Sequence, residues 1–124
     1  MQSVNKLYQT KDFKKKIDKF RYSSSIFSKI VTFNNKVLEG FKLLEDDGIE
    51  INDRYYEYII ELDELASNNL CIDDFNDFNK AFSAIRSSEL LIDNGILNKD
   101  LECITEGLYG LGFILEDLGI LKQR

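Results

Sequence analysis

A chain of 124 residues has room for one domain around a single core, and 44% apolar content with nine Phe and six Tyr marks a folded protein rather than a disordered tail. It contains no histidine, which removes the commonest general base, the usual nitrogen ligand for metals, and every Ser-His or Cys-His nucleophile pair. The net charge of −6 is sorted along the chain: residues 1–42 carry ten Lys or Arg against three acids (+7), and residues 43–124 carry six against nineteen (−13). Such sorting sets the long-range field and so the surfaces that can meet a charged partner. The expectation is one helical domain over 1–124, with a basic segment (1–42) leading into an acidic body (43–124).

The opening Met1-Gln2-Ser3-Val4-Asn5-Lys6 lacks the apolar run of a signal peptide, so the expected compartment is the cytoplasm. There is no proline, and apolar residues recur at i, i+3, i+4 and i+7 rather than in alternation. Phe13, Ile17 and Phe20 make a first stripe after Thr10 as N-cap, surrounded by Lys11, Lys14, Lys15, Lys16, Lys19 and Arg21. That stripe is expected to turn inward, laying a basic helix beside the acidic body. A second stripe, Ile26, Ile30, Phe33, Val37, Phe41 and Leu44, starts after Ser23-Ser24-Ser25. Tyr55, Ile59, Leu62 and Ala66 form a third, and Phe75, Phe78, Phe82, Ile85 and Ile92 a fourth. The fifth is Leu101, Ile104, Leu108, Leu111, Leu115 and Leu118. The most apolar stretch, Leu108 to Leu121, is 14 residues long and holds Glu116 and Asp117. A membrane span needs roughly 20 apolar residues, so a buried helix is expected there and no span.

The connections repeat one chemistry. Asp47-Gly48-Ile49 leads to Asn52-Asp53, Asn69-Leu70 to Asp73-Asp74, and Asn94-Gly95-Ile96 to Asn98 and Asp100. Gly or Asn ends a helix in the left-handed conformation, and the apolar residue after it folds back. Asn or Asp then caps the next helix and sets negative charge at its positive end. Leu44-Glu45-Asp46-Asp47-Gly48-Ile49 is echoed by Leu115-Glu116-Asp117-Leu118-Gly119-Ile120, which is either the trace of a helical repeat or convergent capping. Short loops between long helices make antiparallel neighbours. The fold expected is all-α, a compact antiparallel bundle of about five helices.

Few residue patterns suggest chemistry. Di-iron bundles need Glu-x-x-His pairs, absent from a chain without His. A calcium loop fails on register: with Gly48 at the turn position, Leu43 stands at the first ligand and Arg54 at the twelfth. Cys71 and Cys103 have neither metal nor redox spacing and read as free thiols. Gly107-Leu108-Tyr109-Gly110-Leu111-Gly112 has the wrong order for a phosphate loop and no strand before it. Because each mid-helix Gly costs close to ~1 kcal/mol relative to Ala, the run points to tight helix packing. No cofactor, no metal and no catalysis are expected.

The most specific surface pattern lies on the third helix. Asp53, Glu57, Glu61 and Glu64 fall at i, i+4, i+8 and i+11. At about 100° per residue the four occupy roughly an 80° arc opposite the Tyr55, Ile59, Leu62, Ala66 stripe. Tyr56 and Ile60 flank the row, an amphipathic edge of the kind found at interfaces. The bland reading is a solvated face. The functional reading is a ridge that docks a basic partner protein, such as a toxin, a nuclease or a nucleic-acid-binding protein, in the way of inhibitors, immunity proteins and antitoxins. The alternative is a regulatory or assembly subunit that contacts nucleic acid through Lys14, Lys15, Lys16, Lys19 and Arg21. A third reading, a small enzyme or ligand carrier, would need a pocket around Gly107 to Gly112.

Overall fold

The computed structural model describes the backbone of residues 11–122 and side chains from Lys14 onward. The Thr10 cap and the side chains of Lys11 and Phe13 lie outside the described residues. Apart from one isolated bridge, the regular structure is helical: α1 (Lys11–Asp46), α2 (Asp53–Asn69), α3 (Phe75–Asn98) and α4 (Leu101–Asp117).

Among the described residues there are four helices rather than about five, because the first two expected ones are continuous. Ser23-Ser24-Ser25 does not stop the helix. Ordinary residues lose no more than about 0.7 kcal/mol each to Ala in a helix, which flanking packing overrides. The resulting 36-residue α1 is about 54 Å long.

Continuity fixes the phase of both stripes. From Phe20 to Ile26 six steps of about 100° leave the two stripes roughly 120° apart. The stripe of Ile26, Ile30, Phe33, Val37, Phe41 and Leu44 is buried throughout. The expectation that the first stripe also turns inward is corrected: Phe20 is 73% exposed and Ile17 half-buried. Extending the buried stripe backward from Ile26 meets Tyr22, Lys19 and Lys15, so the inward face turns polar as α1 leaves the body.

Local capping sets the other boundaries. Asn52 accepts from the Arg54 amide at 3.0 Å, Asp74 from Asp77 at 2.8 Å and Asp100 from Cys103 at 3.3 Å, each satisfying an orphan donor of the first turn. Three helix ends share one closing pattern. The Ile49 amide donates to the Leu44 carbonyl at 2.9 Å, Asp100 to Gly95 at 2.8 Å, and Ile120 to Leu115 at 3.0 Å. The left-handed residue is Gly48 (φ 87°) in the first and Gly119 (φ 73°) in the last. In the middle one it is Lys99 (φ 53°), so the expected stop at Gly95 is corrected by four residues. Gly95 is instead a packing seat: a Cβ there would stand 2.9 Å from the Ile104 amide nitrogen.

Consecutive helices run antiparallel. The Asn34 amide donates to Asp63 Oδ1 at 2.6 Å and Phe41 meets Tyr56 edge-on at 5.4 Å, fixing α2 against α1. α3 lies parallel to α1, marked by Tyr22–Phe78 rings 5.3 Å apart, Lys29 4.9 Å above the Phe82 ring, and Lys36–Asp93 at 2.9 Å. α4 packs chiefly on α3, while α2 touches only α1 and α4. The expected Phe75, Phe78, Phe82 stripe is corrected too: these rings form a ladder along the α1–α3 seam, with Phe75 60% exposed. The buried face of α3 is Ala81, Ala84, Ile85, Ser88, Ile92 and Gly95. Leu118, expected in the core, is exposed.

Candidate functional site

α2 buries Ile59, Leu62, Leu65 and Ala66 against the body. The same register leaves Asp53, Glu57, Glu61 and Glu64 all exposed on its outer face, where the sequence pattern placed them. Ile60, beside the row, is 60% exposed. Solvation is the reason a helix accepts such a row, because like charges at i, i+4 cost only a few tenths of a kcal/mol each in water.

Tyr56 is placed differently from Ile60. It is half-buried, with its ring against Phe41 and its hydroxyl donating to Glu45. Burial, then the bond to Glu45, pushes its hydroxyl up to about 12, so it stays a donor at neutral pH. Tyr56 thereby closes one side of an open concavity of about 540 Å³ lined by Glu45, Gly48, Ile49, Glu50, Ile51 and Asp53. In the sequence Glu45 stands out only within the Leu44–Ile49 helix end. The place of Glu45 and Glu50 beside Asp53 follows from the Gly48 reversal, which folds the end of α1 onto the start of α2.

Lys14, Lys15, Lys16, Lys19 and Arg21 are all exposed. Lys19 pairs with Asp73 at 3.2 Å, and Lys36–Asp93 and Lys99–Asp47 pair at 2.9 Å each. Two of the three tie α1 to the acidic half of the chain. Exposed pairs of this kind contribute at most about 1 kcal/mol each.

The glycine-rich segment is occupied by neighbouring side chains. A Cβ on Gly107 would stand 2.7 Å from Ile92 Cδ1 and 3.1 Å from the Ser88 carbonyl, and Gly112 receives the Tyr58 hydroxyl. Gly110 faces open space. Tyr58 also lies 4.4 Å from the Tyr109 ring, so tyrosines make much of the α2–α4 contact. Burial first, then Glu116 and Glu61, pushes the Tyr58 hydroxyl up to about 12.

Cys71 and Cys103 are both free thiols. Burial, with Asp100 and Glu106 nearby, raises the Cys103 thiol and so disfavours the nucleophilic thiolate. Among the described residues no group of three or more Cys, Asp or Glu is placed to hold a metal ion, and no helix is long and apolar enough to cross a membrane. No protein-family model, curated protein or solved structure matches this chain.

Proposed function

We propose that this chain is a small, acidic, non-catalytic binding protein whose α2 ridge occupies a basic surface of a partner protein, in the manner of an inhibitor, an immunity protein or an antitoxin. The observation that carries the reading is the exposure of Asp53, Glu57, Glu61 and Glu64 along one helix beside an exposed Ile60. A row of carboxylates with an apolar side chain at its edge suits a cationic, partly apolar target such as a toxin, a nuclease or another nucleic-acid-binding protein. The net charge of −6 would steer such a target and make association fast and salt-sensitive. Action in the cytoplasm and without bond-making belongs to the same reading.

The test is affinity capture from the native host, with the partner identified by mass spectrometry and its affinity measured. Glu57→Lys with Glu61→Lys is expected to weaken capture at least tenfold, a loss of about 1.4 kcal/mol, with Tm in high salt unchanged. Undiminished capture makes the ridge a solvated face. A fall in Tm means that the carboxylates hold the fold together.

The exposure of Lys14, Lys15, Lys16 and Arg21 favours a second reading, contact with nucleic acid by a regulatory or assembly subunit. Loss of nucleic-acid retention on removing residues 1–21, with the fold intact, would support it.

A further inference from the structure

α2 does not reach the start of α1. Its last turns, Ala66, Ser67 and Asn68, lie beside Phe20, Ser23, Ser24 and Phe27, around a groove of about 240 Å³. The α1 turns up to Arg21 therefore run out at and past the end of α2 as an arm. On this arm Ile17 and Phe20 share a stripe about 120° from the buried face, flanked by Lys16 and Arg21. Phe20 is the second most exposed large apolar side chain described, after Leu97. The arm is thus an apolar strip with cationic edges. The outer face of α2 offers the opposite charge, with exposed Ile60 at one edge of the row that holds Glu57 and Glu61.

We propose that the arm of α1 docks on the α2 ridge of a second copy of this chain, so that two copies exchange arms about a two-fold axis. The inference rests on reading the ridge as a docking face and names a partner for it. Charge complementarity selects the occupant: residues 1–42 carry +7 and residues 43–124 carry −13, so each copy offers both halves of the contact. The topology allows closure. With the two α2 carboxyl ends meeting at the axis, each arm runs over the other copy's α2, giving an isologous dimer with two identical contacts. The arm spans about 15 Å from residue 11 to residue 21, close to the roughly 17 Å of ridge between Asp53 and Glu64. The groove at Phe20, Phe27, Ala66 and Leu70 would then be covered where the two copies meet.

Light scattering and sedimentation velocity on the full chain test this by charge exchange. The wild-type chain is expected at twice its 14.4 kDa mass at low salt, with dissociation as salt rises. An arm variant, Lys16→Glu with Arg21→Glu, and a ridge variant, Glu57→Lys with Glu61→Lys, are each expected to weaken self-association at least tenfold. Mixed one to one, they should restore the dimer, because each arm again faces a ridge of opposite sign. Restoration also shows that both variants fold.

A wild-type monomer at every salt concentration overturns the proposal. So does a dimer that persists in either variant, or a mixture that stays monomeric. An arm that instead retains a short DNA or RNA duplex, or anionic vesicles, on a monomeric protein also overturns it. If self-association fails while Glu57→Lys with Glu61→Lys still abolishes capture of a basic partner, only the self-pairing is lost. If the ridge variant leaves both unchanged, the docking face itself is wrong.

Discussion

The two halves of α1 belong to one unbroken helix and have opposite fates. From Ile26 to Leu44 each stripe residue is buried, whereas in the preceding turns Phe20 faces solvent and Lys19 and Lys15 hold the inward positions. Apolar spacing is helical in both. What differs is phase: once Ser23-Ser24-Ser25 stays helical, the angle between the stripes is set, and only one can face the body. An amphipathic pattern tells which residues share a face, not what that face meets.

The comparison breaks most plainly on phenylalanine. In high salt, Phe41→Ala is expected to cost about 3–5 kcal/mol in urea unfolding, because the surrounding core cannot close over the cavity. Phe20→Ala is expected to stay within about 0.5 kcal/mol. Comparable losses from both would mean that the arm packs as the body does.

Glycine sharpens the same point inside α4. Gly107→Ala drives a methyl into Ile92 and the Ser88 carbonyl and is expected to cost about 1–3 kcal/mol. Gly110→Ala meets nothing and is expected to raise stability by up to about 1 kcal/mol, read as a higher Tm. Equal signs would refute the seating of α4 on α3.

The smallest effect is a pH dependence at the α2–α4 seam. Tyr58 is raised from 10 to about 12, chiefly by burial, so between those values the folded chain holds a proton that the unfolded chain releases. Its contribution is full below pH 10 and is lost as pH rises through about 12. Denaturant unfolding should therefore show stability falling across that window, less steeply in Tyr58→Phe.

Much of this architecture was legible because it is local. Asn52, Asp74 and Asp100 cap where their chemistry says, and the α2 ridge is exposed because its register against Ile59, Leu62 and Ala66 allows nothing else. The misreadings share a cause. Ser23-Ser24-Ser25 suits a cap and is also tolerated within a helix, Gly95 suits a helix end and also a close crossing, and Phe75 suits a core and also a seam. In each case a neighbour distant in sequence decides between two local options. The acidic concavity was hidden for the same reason, since Glu45 and Asp53 meet only through the Gly48 reversal.

One small feature has a kinetic consequence. The Leu70–Leu121 bridge, with the Cys71 amide donating to Ile120 at 2.7 Å and the Lys122 amide donating to Asn69 at 3.2 Å, latches two segments about fifty residues apart. Closing a ring of that size costs about 3.5 kcal/mol of chain entropy before any contact repays it. The α3–α4 hairpin assembles from neighbours in sequence and does not have to wait for this latch. Among the described residues the α2 backbone makes no close approach to α3, so beyond its hairpin with α1 it is held by α4 and by this latch.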